Sequence, residues 1–358
     1  MTSLEQRNRK IISAIIEKAA AVCPGSLALI AVSGSFATGD IHEKSDLDLL
    51  ILINDERGRR LSHTFIQDDL GVGHDLYCTS WDSLRADARY THPHIAKLMD
   101  SKVVWYADEK YVSELESLRA QARAILDSPL NEEDFSKAEA QLRTAESCLT
   151  DALTAENRSD LLNAAGGVLY YTENAVALIN KRYFRRSVRR VYDELNEMKL
   201  RPANLCALIE AVVSAETDDA VRENTLLLIR EMRRCFHEVR SLLPAGLKNA
   251  PTADALRGTY EEMFSNWRNK MRLAAEEGNR HLSFMSMVSM NAMLSDISEK
   301  TDVGVPAVMD GYDPQDLIKT AESFDQSLDQ YRRVYERVGL TEARYQDVEA
   351  FIREYKKR

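Results

Sequence analysis

The chain has 358 residues, more than one typical domain and enough for two or three with sizeable cores. Its 47 Lys and Arg stand against 57 Asp and Glu, a net charge of -10, so no broad basic surface is available to grip a long nucleic acid. The five cysteines, Cys23, Cys78, Cys148, Cys206 and Cys235, are scattered and odd in number, which argues against a disulfide framework or a zinc site. No apolar run is long enough for a signal peptide or a bilayer span, so the expectation is a cytoplasmic protein with reduced thiols and no membrane partner.

In chain order, Thr2-Ser3-Leu4-Glu5 reads as a capping box, and Ile11, Ile12, Ile15, Ile16 and Ala19 recur at helical spacing, predicting an amphipathic helix that ends near Pro24-Gly25. Two apolar runs, Leu27 to Val32 and Leu49 to Ile53, have the length and continuity of buried strands. A polar turn at residues 54–58 leads to strands at His63 to Ile66 and Val72 to Thr79, with Gly71 and Gly73 marking the turn between them. Short helices at 82–88 and 93–99 and a strand at 102–107 close a mixed α/β part near Asp108. Long helical patterns follow at 109–127, 132–156, 159–182, 186–198, 204–215, 218–242, 252–277, 280–299 and 314–338. Ser159, Thr217 and Asp313-Pro314 have the chemistry of helix starts. The sequence predicts an α+β fold, a small mixed-sheet domain at 1–110, then an all-α helical bundle at 111–245 and a further helical region at 246–358.

The loop between the first two strands holds the chemistry. Gly34-Ser35 opens it, and Asp46-Leu47-Asp48 closes it at the entrance to the second strand. Because successive strand side chains alternate faces, Asp46 and Asp48 project together while Leu47 and Leu49 pack behind. Two carboxylates that close are unfavourable unless a proton or cation neutralises them. A hard cation such as Mg2+, one or two ions, prefers such oxygens and keeps positions open for substrate phosphates. Gly34 lets backbone amides approach an anion, and Ser35 adds a hydroxyl where a helix begins.

On Gly34-Ser35, the spacer and Asp46-x-Asp48, the chain resembles the DNA polymerase beta-like nucleotidyltransferase superfamily. The resemblance implies a third carboxylate on a later strand, and Asp75 within Val72 to Trp81 stands in that place. Asp46, Asp48 and Asp75 are then the catalytic and metal-binding residues, and Gly34, Ser35 and Ser45 hold the nucleoside triphosphate. A nucleotidyltransferase domain followed by helices is similar to the kanamycin nucleotidyltransferase type. What this implies is transfer of a nucleoside monophosphate, most simply AMP from ATP, to a hydroxyl of a small acceptor such as an aminoglycoside-like compound. A homodimer is compatible with it. The alternatives are a protein-modifying nucleotidyltransferase, of the antitoxin-like or regulatory kind, and an inactive nucleotide-binding module. Antitoxin-like members carry arginines where this chain has Phe36 and Thr38, which counts against the former.

Four other constellations carry two readings each. The basic run Lys181 to Arg190 is either a triphosphate clamp, with Lys181 and Arg185 as its candidates, or a solvated corner paired with Asp193, Glu194 and Glu197. Arg230 and His237 faintly resemble the Arg and His pair of a helical ribonuclease family, a pair also expected by chance. Glu173, beside Asn174, is either an acceptor-side carboxylate or a plain helix-surface residue. The methionines of Phe284 to Met293 suit a helix core or a partner groove.

Overall fold

The structure, a computed structural model, describes residues 3–39, 41, 45–186, 188–244 and 250–357. It divides into two compact units, 1–244 and 245–358. The cap expected at Thr2 lies outside the described residues, as do Asp40 and residues 42–44 of the signature loop.

In the first unit, helix α1 (Ser3–Val22) buries Ile15 and Ala19 beneath the sheet. Strand β1 (Leu27–Val32) follows, then the five-residue helix α2 (Gly34–Thr38) and strand β2 (Leu49–Ile53). Both strands are buried along their length because helices cover both faces, the condition under which continuous apolar runs form strands. A short 3-10 turn (Glu56–Leu61) leads to β3 (His63–Gln67) and β4 (Val72–Leu76), which pair only with each other as an antiparallel ribbon. The expected single strand from Val72 to Thr79 is therefore interrupted at Tyr77. Its second piece, β5 (Cys78–Ser80), joins the main sheet parallel to β2, and α3 (Trp81–Ala88), α4 (Ala96–Asp100) and β6 (Lys102–Tyr106) complete it. The strand order is β5-β2-β1-β6, with β1 antiparallel to both neighbours. Val32 pairs with Leu49, and the Ser33 N–H donates to the Asp48 carbonyl at 2.9 Å, so the signature loop is tied shut at its base.

The helices α5 (Glu109–Asp127), α6 (Glu132–Thr154), α7 (Arg158–Ile179), α8 (Val191–Glu197), α9 (Leu205–Val213) and α10 (Asp218–Leu242) pack on the sheet through one shared core. α7 starts two residues earlier than Ser159 suggests, because the Asn157 side chain accepts from the Asp160 N–H at 3.0 Å. Thr217 caps α10 as its position predicts. α7 ends at Ile179 rather than 182, and Lys181 takes a left-handed backbone, φ 52, which breaks the run before the next helix.

The second unit holds α11 (Ala253–Leu256), α12 (Thr259–Met263), a π-helical turn (Phe264–Arg268), α13 (Asn269–Glu277), α14 (Arg280–Lys300), α15 (Leu317–Arg337) and α16 (Val348–Tyr355). The single helix expected over 252–277 is broken because Gly258, φ 83, caps a turn. Asp313 does not cap α15. Its carboxylate takes the Gln315 N–H at 2.9 Å and makes a turn, while Asp316 caps the helix. Met287 and Met290 of α14 lie in this unit's core, one of the two places expected for the methionine run. α16 has no counterpart among the helices expected from sequence. Among the described residues no helix is long and apolar enough to cross a membrane.

Candidate functional site

The loop that closes β1 onto β2 opens into a cavity of about 310 Å³. One wall is Ser33, Gly34, Ser35, Thr38, Ser45, Asp46 and Asp48; the other is Ala96 and Lys97 of α4 with Phe184, Arg185, Arg186 and Arg189 from the segment before α8. Sheet domain and helical part therefore meet at this cavity.

Leu47 and Leu49 are buried and turn Asp46 and Asp48 outward together, as strand alternation predicts. Gly34 sits at φ 63, and a Cβ there would lie 1.9 Å from Asp48 Oδ2. The Asp48 carboxylate thus rests directly on the glycine backbone, a closeness no other residue permits. Burial pushes the Asp48 carboxyl up from its ordinary value, Asp46 adds to this as a like charge, and Lys97 opposes both. Ser33 Oγ is buried on the same wall and has no hydrogen-bond partner among the described residues. The two carboxylates, the cradle over Gly34 and this orphaned hydroxyl together suit a hard cation and the oxygens it carries. Asp46 and Asp48 would hold the ion.

Two groups behind the loop hold the backbone that carries the carboxylates. His74 accepts the Leu47 N–H on Nδ1 at 3.4 Å, and its Nε2 lies 3.2 Å from Gln67 Oε1, which assigns the proton to Nε2. Burial lowers its pKa, and the Arg7 guanidinium lowers it further, so the acceptor role of Nδ1 is kept. Arg7 donates to the Ser45 carbonyl at 2.9 Å; burial lowers its pKa, and the Asp46 carboxylate opposes that. Neither residue stands out in the sequence. Their only signal is a position on elements that flank the loop.

The expected residues do not all converge. Gly34, Ser35, Ser45, Asp46, Asp48 and Arg185 line the cavity. Asp75 does not. It lies on the exposed face of β4, its carboxylate accepting from Thr64 Oγ1 at 3.0 Å, because the ribbon of β3 and β4 leaves the main sheet at Tyr77. Among the described residues no group of three or more His, Cys, Asp or Glu side chains is placed to hold a metal. Lys181 is also elsewhere. Its ammonium is buried against Asp134 at 2.7 Å, Ser128 Oγ at 2.7 Å and the Pro129 carbonyl at 3.4 Å, so all three of its protons are used in holding α7 to α6. The basic run thus serves two purposes, with Lys181 inside the bundle and Arg185, Arg186 and Arg189 at the cavity. Lys97, an isolated lysine on a short helix, is a cavity residue that sequence reasoning passes over.

Glu173 lines neither wall of this cavity. It is partly buried beside Tyr192 and Cys206, and with no stabilising partner among the described residues burial raises it to about 7. The Asn174 side chain serves a different contact, its Oδ1 accepting from His94 Nε2 at 2.9 Å. His237 lines a separate cavity with Arg143, Arg233 and Arg240, and Arg230 is not part of it.

A small mixed sheet thus presents paired carboxylates beneath a Gly-Ser bend, faced across one cavity by a lysine and arginines. The nucleotidyltransferase domain family matches residues 10–116, and the KNTase C-terminal domain family matches residues 120–240. No curated protein matches the chain. Among solved structures it is similar to a nucleotidyltransferase-like protein from Exiguobacterium sibiricum 255-15, at 14% identity and a TM-score of 0.35, over 74% of this chain and 81% of that one. A nucleotidyltransferase domain followed by a KNTase C-terminal domain is the kanamycin nucleotidyltransferase-like architecture, and it marks a nucleotidyl-transfer enzyme.

Proposed function

We propose that the chain transfers a nucleoside monophosphate, most simply AMP from ATP, to a hydroxyl of a small acceptor such as an aminoglycoside-like compound. The observation that carries this is the opposition, across one cavity, of Asp46 and Asp48 to Lys97, Arg185, Arg186 and Arg189. A divalent ion such as Mg2+ bound by the two aspartates would neutralise them and polarise the phosphate under attack. The backbone over Gly34 and the hydroxyls of Ser33 and Ser35 bind phosphate oxygens, and Lys97 with the arginines orients the phosphate chain and stabilises charge on the departing pyrophosphate. Neither Asp75 nor Glu173 lines this cavity, and neither is given a step. The net charge of -10 favours a cationic acceptor over an anionic one.

Incubation with labelled ATP and Mg2+ tests the reading. Label is expected on a small hydroxyl compound with release of pyrophosphate. Label on a protein would instead support the protein-modifying alternative, and nucleotide bound but not turned over would support a binding module. Asp48→Asn should lower turnover at least about a thousandfold while the protein stays folded, since it deletes a ligand worth several kcal/mol in the transition state. Undiminished pyrophosphate release by that variant would remove Asp48 from the site.

A further inference from the structure

Arg185 and Arg186 reach the cavity from a segment with no regular secondary structure, yet its backbone is tied at successive residues. The Arg182 N–H donates to the Ala177 carbonyl at 2.9 Å and the Phe184 N–H to the Pro93 carbonyl at 3.0 Å. Tyr183 Oη donates to Asp100 Oδ1 at 3.0 Å, and the Arg185 guanidinium lies 3.4 Å from the same carboxylate. The next tie differs in kind. The Arg185 N–H reaches Glu194 Oε1 and Oε2 at 3.1 and 3.2 Å, and the Arg186 N–H reaches Oε1 at 2.9 Å.

Two consecutive amides converging on one anion form a nest of the sort that proteins offer to phosphates. Here the nest is filled by the chain's own carboxylate, projecting from α8. Glu194 is 8% exposed, and a buried carboxylate is costly unless such donors compensate it. With these two amides occupied by Glu194, Arg185 and Arg186 meet the cavity with their side chains. Lys97 is brought into the same frame, because Asp100 ends the helix that carries it.

We propose that Glu194 is a positioning residue for the donor nucleotide: by binding the amides of Arg185 and Arg186 it sets the direction in which both guanidiniums meet the triphosphate. The proposal rests on the reading of the cavity as a triphosphate site. Glu194 itself touches no substrate and takes no part in bond making.

Equilibrium binding of ATP and of inorganic tripolyphosphate, each with Mg2+, tests it without knowledge of the acceptor. Glu194→Gln replaces one accepting oxygen by an NH2 group and is expected to weaken both ligands about tenfold, the equivalent of one charge-assisted hydrogen bond. Glu194→Asp, which keeps the charge on a shorter arm, should recover part of the loss. Glu216→Gln, exposed between α9 and α10 and far from the cavity in the fold, should bind as the parent does. Parent-like affinity in a folded Glu194→Gln, or a lowered melting temperature with affinity unchanged, overturns the proposal. If Glu194→Gln does not fold, undiminished affinity in Glu194→Asp overturns it equally. A parent protein that binds neither ligand overturns the triphosphate reading itself, an outcome distinguishable from the others.

Discussion

The two walls of the cavity are built to different standards of rigidity. The carboxylate wall lies at the ends of β1 and β2, the most buried strands of the sheet, and is pegged from beneath by His74 and Arg7. The cationic wall consists of long side chains on a short helix and an irregular segment, held by ion pairs and by one buried glutamate. Groups that would meet a cation within fractions of an ångström sit at the entrance to a buried strand. Groups that gather a flexible, highly charged phosphate chain tolerate the looser support, since guanidiniums bind phosphate in several geometries.

If that contrast is right, the smallest alteration to the rigid wall should do the most damage. Gly34→Ala puts a methyl group into the Asp48 carboxylate and forces an unfavourable backbone. Turnover should fall roughly a hundredfold or more, with stability lowered by about 1–3 kcal/mol. Steady-state rates and denaturant melts measure the two effects. A fully active Gly34→Ala would show that the wall yields, and the contrast would be lost.

The basic run offers a second cut, because only part of it belongs to a wall. Lys181→Met strands Asp134 in the bundle without its partner and should cost about 3–5 kcal/mol of stability, while leaving ATP affinity unchanged. Weaker ATP binding at unchanged melting temperature would place Lys181 with the clamp after all.

Glu173 belongs to neither wall, and its burial predicts a pH effect on folding alone. Its folded pKa of about 7 lies above the ordinary 4.5, so its ionisation opposes folding. The stability linked to the neutral form is complete below about 4.5 and is lost as the pH rises through 7. Glu173→Gln should therefore be more stable than the parent at pH 8, by up to about 3 kcal/mol, and equal to it at pH 4. Melting curves across that range check the sign. A variant less stable than the parent at pH 8 would mean that the carboxylate is compensated.

The gentlest test is Lys97→Met. It removes one exposed cation from the softer wall, and ATP affinity should fall about three- to tenfold with little change in melting temperature. Loss of a thousandfold would make Lys97 as indispensable as Asp48 and erase the distinction between the walls.

Half of this site was legible in the chain because half of it is local. Gly34, Ser35, Asp46 and Asp48 lie on one loop between two apolar runs, and strand alternation alone sends both carboxylates the same way. Asp75 shows the limit of that logic. Its alternation was read correctly, with Leu76 and Cys78 buried on the opposite face, but alternation says nothing of which sheet a strand joins. The break at Tyr77 turned its face to solvent.

The sequence by itself determined the class of fold, the positions of the main strands and long helices to within a few residues, and the carboxylate wall, because each depends on periodicity or contiguity. Only the tertiary structure decided which cations face those carboxylates. Lys97 and Arg186 come from segments far apart in the chain, and Lys181 and Arg185, four residues from each other, end in a bundle core and a ligand cavity. The reason is that a left-handed turn and one buried carboxylate redirect the chain between them, and neither leaves a periodic mark in the sequence.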